Sequence, residues 1–78
     1  MRTQEIRALL HARPFVPFAI HLADGRQMEV KHPDFVALAP TGDTIVVFQE
    51  DNSFNVVDLA LATDAEVRAR KVSGRTRR

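Results

Sequence analysis

The chain has 78 residues, a formal net charge of +1 and no cysteine. Such a length makes one domain whose core covers only roughly 60% of the surface exposed by the unfolded chain, with no disulfide or cysteine-based zinc site to staple it. No apolar run approaches the roughly 18 residues of a membrane span and no signal-peptide stretch opens the chain, so a cytoplasmic protein without a membrane partner is expected.

Thr3 to Ala12 reads as a short helix, because Ile6, Leu9 and Leu10 fall at i, i+3 and i+4 on one apolar stripe. Thr3 is the expected N-cap, Glu5 suits the positive end of the helix dipole, and Pro14 ends the element. The connector Arg13-Pro14-Phe15-Val16-Pro17-Phe18 is stiff, since its prolines lack amide donors. Its two phenylalanines are expected to pin helix and first strand together.

From Pro17 to Lys31 the pattern changes to period two. Phe18, Ile20 and Leu22 alternate with Ala19, His21 and Ala23, Asp24-Gly25 interrupts, and Met28 and Val30 resume. Alternation on both sides of Asp-Gly predicts a hairpin with a two-residue type I′ turn. Lys31-His32-Pro33-Asp34 is a corner, Phe35–Leu38 a third strand, and Pro40-Thr41-Gly42-Asp43 a turn. Thr44–Gln49 (TIVVFQ) is a fourth strand, Glu50-Asp51-Asn52-Ser53 a polar turn, and Phe54–Leu59 a fifth strand. Asp58 to Thr63 fits either continued strand or a helical turn.

No helix of crossover length lies between strands, so βαβ units are excluded and a five-strand antiparallel meander is expected. The predicted fold is mainly β with an N-terminal helix (α+β), closed into a small barrel or strongly bent sheet. The single domain spans residues 1–67, with the helix at 3–12 and the meander at 17–61. Residues 68–78 read as a disordered basic tail with six basic residues and no acid, leaving residues 1–67 with five basic against ten acidic, a net of −5.

A short helix, then a strand carrying Phe18-Ala19-Ile20-His21-Leu22-Ala23-Asp24-Gly25, then Pro33-Asp34-Phe35-Val36-Ala37-Leu38, resembles the layout of the Sm-like family, and within it the bacterial Hfq type. The resemblance runs from Gln4 to about Thr63. It implies a bent SH3-like barrel, ring-forming edge strands and RNA binding. Val30 stands where the family has a bend-permitting glycine. The RNA-contacting Lys-His pair of the last strand has no counterpart in Asn55-Val56-Val57-Asp58-Leu59-Ala60. The phrase Arg13-Pro14-Phe15-Val16-Pro17-Phe18, with His21-Leu22-Ala23-Asp24-Gly25-Arg26 and His32-Pro33-Asp34, is similar to a group of small uncharacterised bacterial proteins, a tighter match that brings no activity.

His11, His21 and His32 with Asp34 lack the spacing that sets three ligands on one face, so no metal or cofactor is assigned. Ser53 and Ser73 have no base nearby in sequence, and Asp24, Asp34, Asp43, Glu50 and Asp51 fall in turns, where acids are favoured as turn formers. An enzyme is therefore not expected, and no small-molecule substrate is identified. The expected function is a non-enzymatic interaction module that self-associates through sheet edges, with the TIVVFQ strand unprotected against pairing. The alternative is RNA binding through Arg7, Arg13, Arg68, Arg70, Lys71, Arg75, Arg77 and Arg78, with Arg2 adding to it.

Overall fold

The structure, a computed structural model, describes residues 1–68. Helix α1 spans Thr3–Leu10 and six strands follow: β1 Phe18–Leu22, β2 Gln27–Val30, β3 Val36–Leu38, β4 Thr44–Phe48, β5 Phe54–Asp58 and β6 Ala62–Val67. They form two three-stranded sheets, in the orders β2-β1-β6 and β3-β4-β5, with every pairing antiparallel. The chain is thus mainly β with one N-terminal helix, as expected. The single five-strand meander is replaced by six strands in two sheets, because β6 returns to pair with β1.

Helix α1 docks as its stripe predicts, with Ile6 and Leu10 buried and Leu9 packed against the same core. Arg2 rather than Thr3 is the N-cap, and its amide donates to Glu5 Oε1 at 2.9 Å. The Thr3 hydroxyl is occupied elsewhere: it donates to the carbonyl of Gly42 and ties the helix to the β3–β4 turn. The helix stops at Leu10 instead of Ala12, within reach of Pro14, and the Arg13–Pro14 peptide is cis.

Alternation sends Phe18, Ile20 and Leu22 of β1, Met28 and Val30 of β2, and Ile45 and Val47 of β4 into one core. Each sheet-to-sheet crossing is a short 3-10 turn, Pro33–Phe35 and Leu59–Leu61. These turns take Phe35 and Leu59 out of the strands expected to contain them. Both are capped by a side chain two residues back, since His32 Nδ1 accepts from the Asp34 amide (3.1 Å) and Asp58 Oδ1 from the Ala60 amide (2.9 Å).

The β1–β2 connection departs from the two-residue turn. Leu22 N–H donates to the Arg26 carbonyl (2.8 Å) and Gly25 N–H to that of Leu22 (3.0 Å), so Ala23, Asp24 and Gly25 form the loop. Only Gly25 has positive φ (94°), which makes a type I turn closed by a left-handed residue rather than a type I′ turn, where two consecutive residues need it. The β4–β5 turn repeats the device with Asn52 (φ 76°) in glycine's place, closed by Gln49 N–H to Ser53 O at 2.8 Å. Asparagine is one of the few side chains that adopts this conformation readily.

Two stability predictions follow from these contacts. Ile6→Ala removes the centre of the helix stripe and should cost about 2–5 kcal/mol in chemical denaturation. Asn52→Val forces a β-branched residue into the left-handed region and should cost about 1–2 kcal/mol, whereas Asn52→Gly should stay within about 0.5 kcal/mol of the parent.

Candidate interaction surface

The outer edges of the two sheets differ in how they are guarded. On β2, Glu29 is bridged by Arg68 (3.5 Å) and the following Lys31 by Glu50 (3.4 Å). On β6, a register shift opposite His21/Leu22 bulges the strand, and Asp64 and Glu66 are exposed. Strand β3 has only three residues and lies between Pro33 and Pro40. Charges, bulges, prolines and short length are the usual barriers to edge pairing. Strand β5 has none of them before Asp58, its sequence being Phe54-Asn55-Val56-Val57.

The hydrogen bonds of the β4–β5 ladder establish which groups β5 turns outward. Bonds at Gln49–Ser53 and Asp43–Leu59 bracket it, and alternation places Val47–Asn55 and Ile45–Val57 as the intervening bonded pairs. The N–H and C=O groups of Phe54 and Val56 therefore face away from β4, along the open edge.

Side chains tell the same story across the sheet. The solvent-facing side carries Val46 and Phe48 on β4 and Phe54 and Val56 on β5. Val46 is half-buried, Phe48 is 40% exposed, Phe54 59% and Val56 66%. Exposure rises toward the open edge, so what these side chains lack is a neighbour beside β5. Phe48 and Phe54 pack on each other with ring centroids 5.9 Å apart, within the range of a favourable aromatic pair.

A polar cleft of about 370 Å³ lies between the β2 edge and the β4–β5 hairpin, lined by Gln27, Lys31, Phe35, Gln49, Glu50 and Asn55, with Gln49 Nε2 donating to Asn55 Oδ1 at 3.5 Å. Its amides donate and accept hydrogen bonds but do not exchange protons at neutral pH. Its Lys31 and Glu50 hold each other.

The residues singled out from sequence are dispersed. His21 Nε2 meets Glu66 Oε1 at 3.0 Å on the outer face of the β2-β1-β6 sheet, whereas His32 sits at the corner beside Asp34 and Phe35. Among the described residues no three His, Asp or Glu side chains converge as metal ligands. Ser53 Oγ donates to Asp51 Oδ1 at 2.6 Å inside a turn. Arg7 lies in the last turn of α1 and Arg13 in the connector, both exposed, and Arg68 is held across the sheet by Glu29. Arg70, Lys71, Arg75, Arg77 and Arg78 lie outside the described residues. The TIVVFQ segment forms β4, which is bonded on both sides, so the unprotected edge belongs to β5 instead.

Phe48, Phe54 and Val56 were not distinguished in sequence from core residues. The available signal was the pair of runs Ile45-Val46-Val47-Phe48 and Phe54-Asn55-Val56-Val57, apolar at both parities, which gives a strand two apolar faces. No helix among the described residues is long and apolar enough to cross a membrane. No protein-family model, curated protein or solved structure matches the chain.

The turn between Phe48 and Phe54 is closed by contacts between Asp51 and Ser53. Hydrogen bonds from the Ser53 hydroxyl, and then from its amide, hold the Asp51 carboxyl below the ordinary aspartate range. A folded pKa below the unfolded one stabilises the fold at neutral pH, and this contribution fades as pH falls below about 4 and through the lowered folded value. Ser53→Ala should move the Asp51 titration upward toward the ordinary range in an NMR pH series; an unmoved titration contradicts the assignment.

Proposed function

We propose that this chain is a non-enzymatic interaction module that associates with copies of itself through the open edge of β5. The observation that carries this reading is the unguarded edge, with unpaired main-chain groups at Phe54 and Val56 and side chains more than half exposed beside them. A domain this small, without cysteine, gains stability from anything that binds only its folded form.

Magnitudes set the strength of the association. A phenylalanine offers about 150–250 Å², so Phe48 and Phe54 together leave about 200 Å² in water per copy. Covering half of that in each of two copies returns about 5 kcal/mol. A few ladder hydrogen bonds add about 0.5–1.5 kcal/mol each, against an association cost of about 4–15 kcal/mol. With the cost at the low end of that range the surplus is only a few kcal/mol, which gives a weak, concentration-dependent dimer of about millimolar strength.

The resemblance to Sm-like proteins fits this reading. What supports it is the shared layout of one N-terminal helix followed by short antiparallel strands. A second reading, RNA binding, draws on Arg2, Arg7 and Arg13, which make no ion pair among the described residues. Against it stands the charge of residues 1–68, ten acidic and six basic side chains.

Val56→Lys places a charge on the open edge and should weaken self-association about tenfold or more, equivalent to at least about 1.4 kcal/mol, read by light scattering over a concentration series. A strict monomer at the highest concentration removes the self-association reading. For the second reading, gel-shift titration with poly-U and poly-A RNA at two salt concentrations should show salt-sensitive binding; none at low salt removes it.

A further inference from the structure

We infer that two copies pair about a two-fold axis in one antiparallel register, with Phe54 of each copy opposite Val56 of the other and the two Asn55 residues face to face. This rests on the self-association reading and gives that contact its partner and geometry.

Parity restricts the choice. Only Phe54, Val56 and Asp58 turn main-chain groups outward, so they must pair with one another. A register centred on Val56 sets Phe54 against the Asp58 carboxylate at both ends. One centred on Val57 sets Val56 against Asp58 and draws in Leu59, where the chain has already turned into the 3-10 crossing. Registers shifted the other way run out of strand at Asn52, whose φ of 76° ends the ladder. Centring on Asn55 matches an aromatic to a β-branched side chain twice, a favoured cross-strand pair. It also leaves Asp58 free to cap the Ala60 amide at 2.9 Å.

The register has a consequence on the other face of the sheet. Asn55 lines the polar cleft, and facing residues of a non-hydrogen-bonded pair have Cα atoms only about 4.5 Å apart. The two Asn55 amides can then exchange hydrogen bonds, since each donates and accepts. The two clefts, about 370 Å³ each, meet at the axis, so each copy contributes Asn55 to the other's cleft. The joined sheet runs β3-β4-β5 into β5-β4-β3, which pairs both open edges and closes the assembly at two copies.

The chain has no cysteine, so an introduced one is the only thiol present. Oxidised at concentrations where light scattering finds the wild type dimeric, Asn55→Cys should give a disulfide-linked dimer on a non-reducing gel. Val56→Cys alone should remain unlinked, because its symmetry mate lies beyond the roughly 7 Å that a disulfide can span. If circular dichroism shows Asn55→Cys unfolded, an equimolar mixture of Phe54→Cys and Val56→Cys, both on the solvent face, should link preferentially as the mixed dimer. Linkage of Val56→Cys to itself overturns the register. Absence of any linkage while the wild type is dimeric overturns the β5 junction but leaves self-association standing; a monomeric wild type removes both.

Discussion

Strand β1 is bonded along both edges, to β2 just after it and to β6 far along the chain, and the remaining elements are arranged around that double pairing. Joining β6 to β1 closes a loop holding most of the domain, an entropic cost that grows slowly with length. It is offset by burying both faces of β1. Phe18, Ile20 and Leu22 point into the shared core, and on the opposite face Ala19 is fully buried between Glu29 and Glu66. Arg68 bridges to the same Glu29 at 3.5 Å.

Local signals in the sequence located most elements. The stripe of Ile6, Leu9 and Leu10, the alternation through Phe18–Leu22 and Met28–Val30, and the polar turns at Gly42 and Asn52 each arise from contacts within a few residues. What escaped was β6. Its core residues Ala62 and Ala65 are small and stand three apart because the bulge opposite His21/Leu22 inserts Thr63, and Val67 on the same face is half exposed, so no regular run of large apolar side chains marks it. The ends of the third and fifth strands were misplaced for a related reason: His32 and Asp58 cap 3-10 turns only once the chain bends between sheets.

The candidate surface was legible only in outline. Self-association through an edge follows from a small β domain, but which edge is free depends on strand order, and strand order depends on the unforeseen β6. With β4 central and β6 guarded by Asp64 and Glu66, the open position falls to β5. Runs apolar at both parities have two explanations, a strand buried on both sides and a strand awaiting a partner. The rise in exposure from Val46 to Val56 distinguishes them here. Fold and function are thereby linked, since covering the edge also adds burial to a core of marginal size.

Amide hydrogen exchange on the unmodified protein tests most directly whether β5 is the edge at which a second copy binds. Comparing a dilute with a concentrated sample, the Phe54 and Val56 amides should become more protected on concentration, while those of Gln27 and Glu29 on the guarded β2 edge stay unchanged. Equal exchange at both concentrations, or protection gained along β2 or β6 instead, would contradict it.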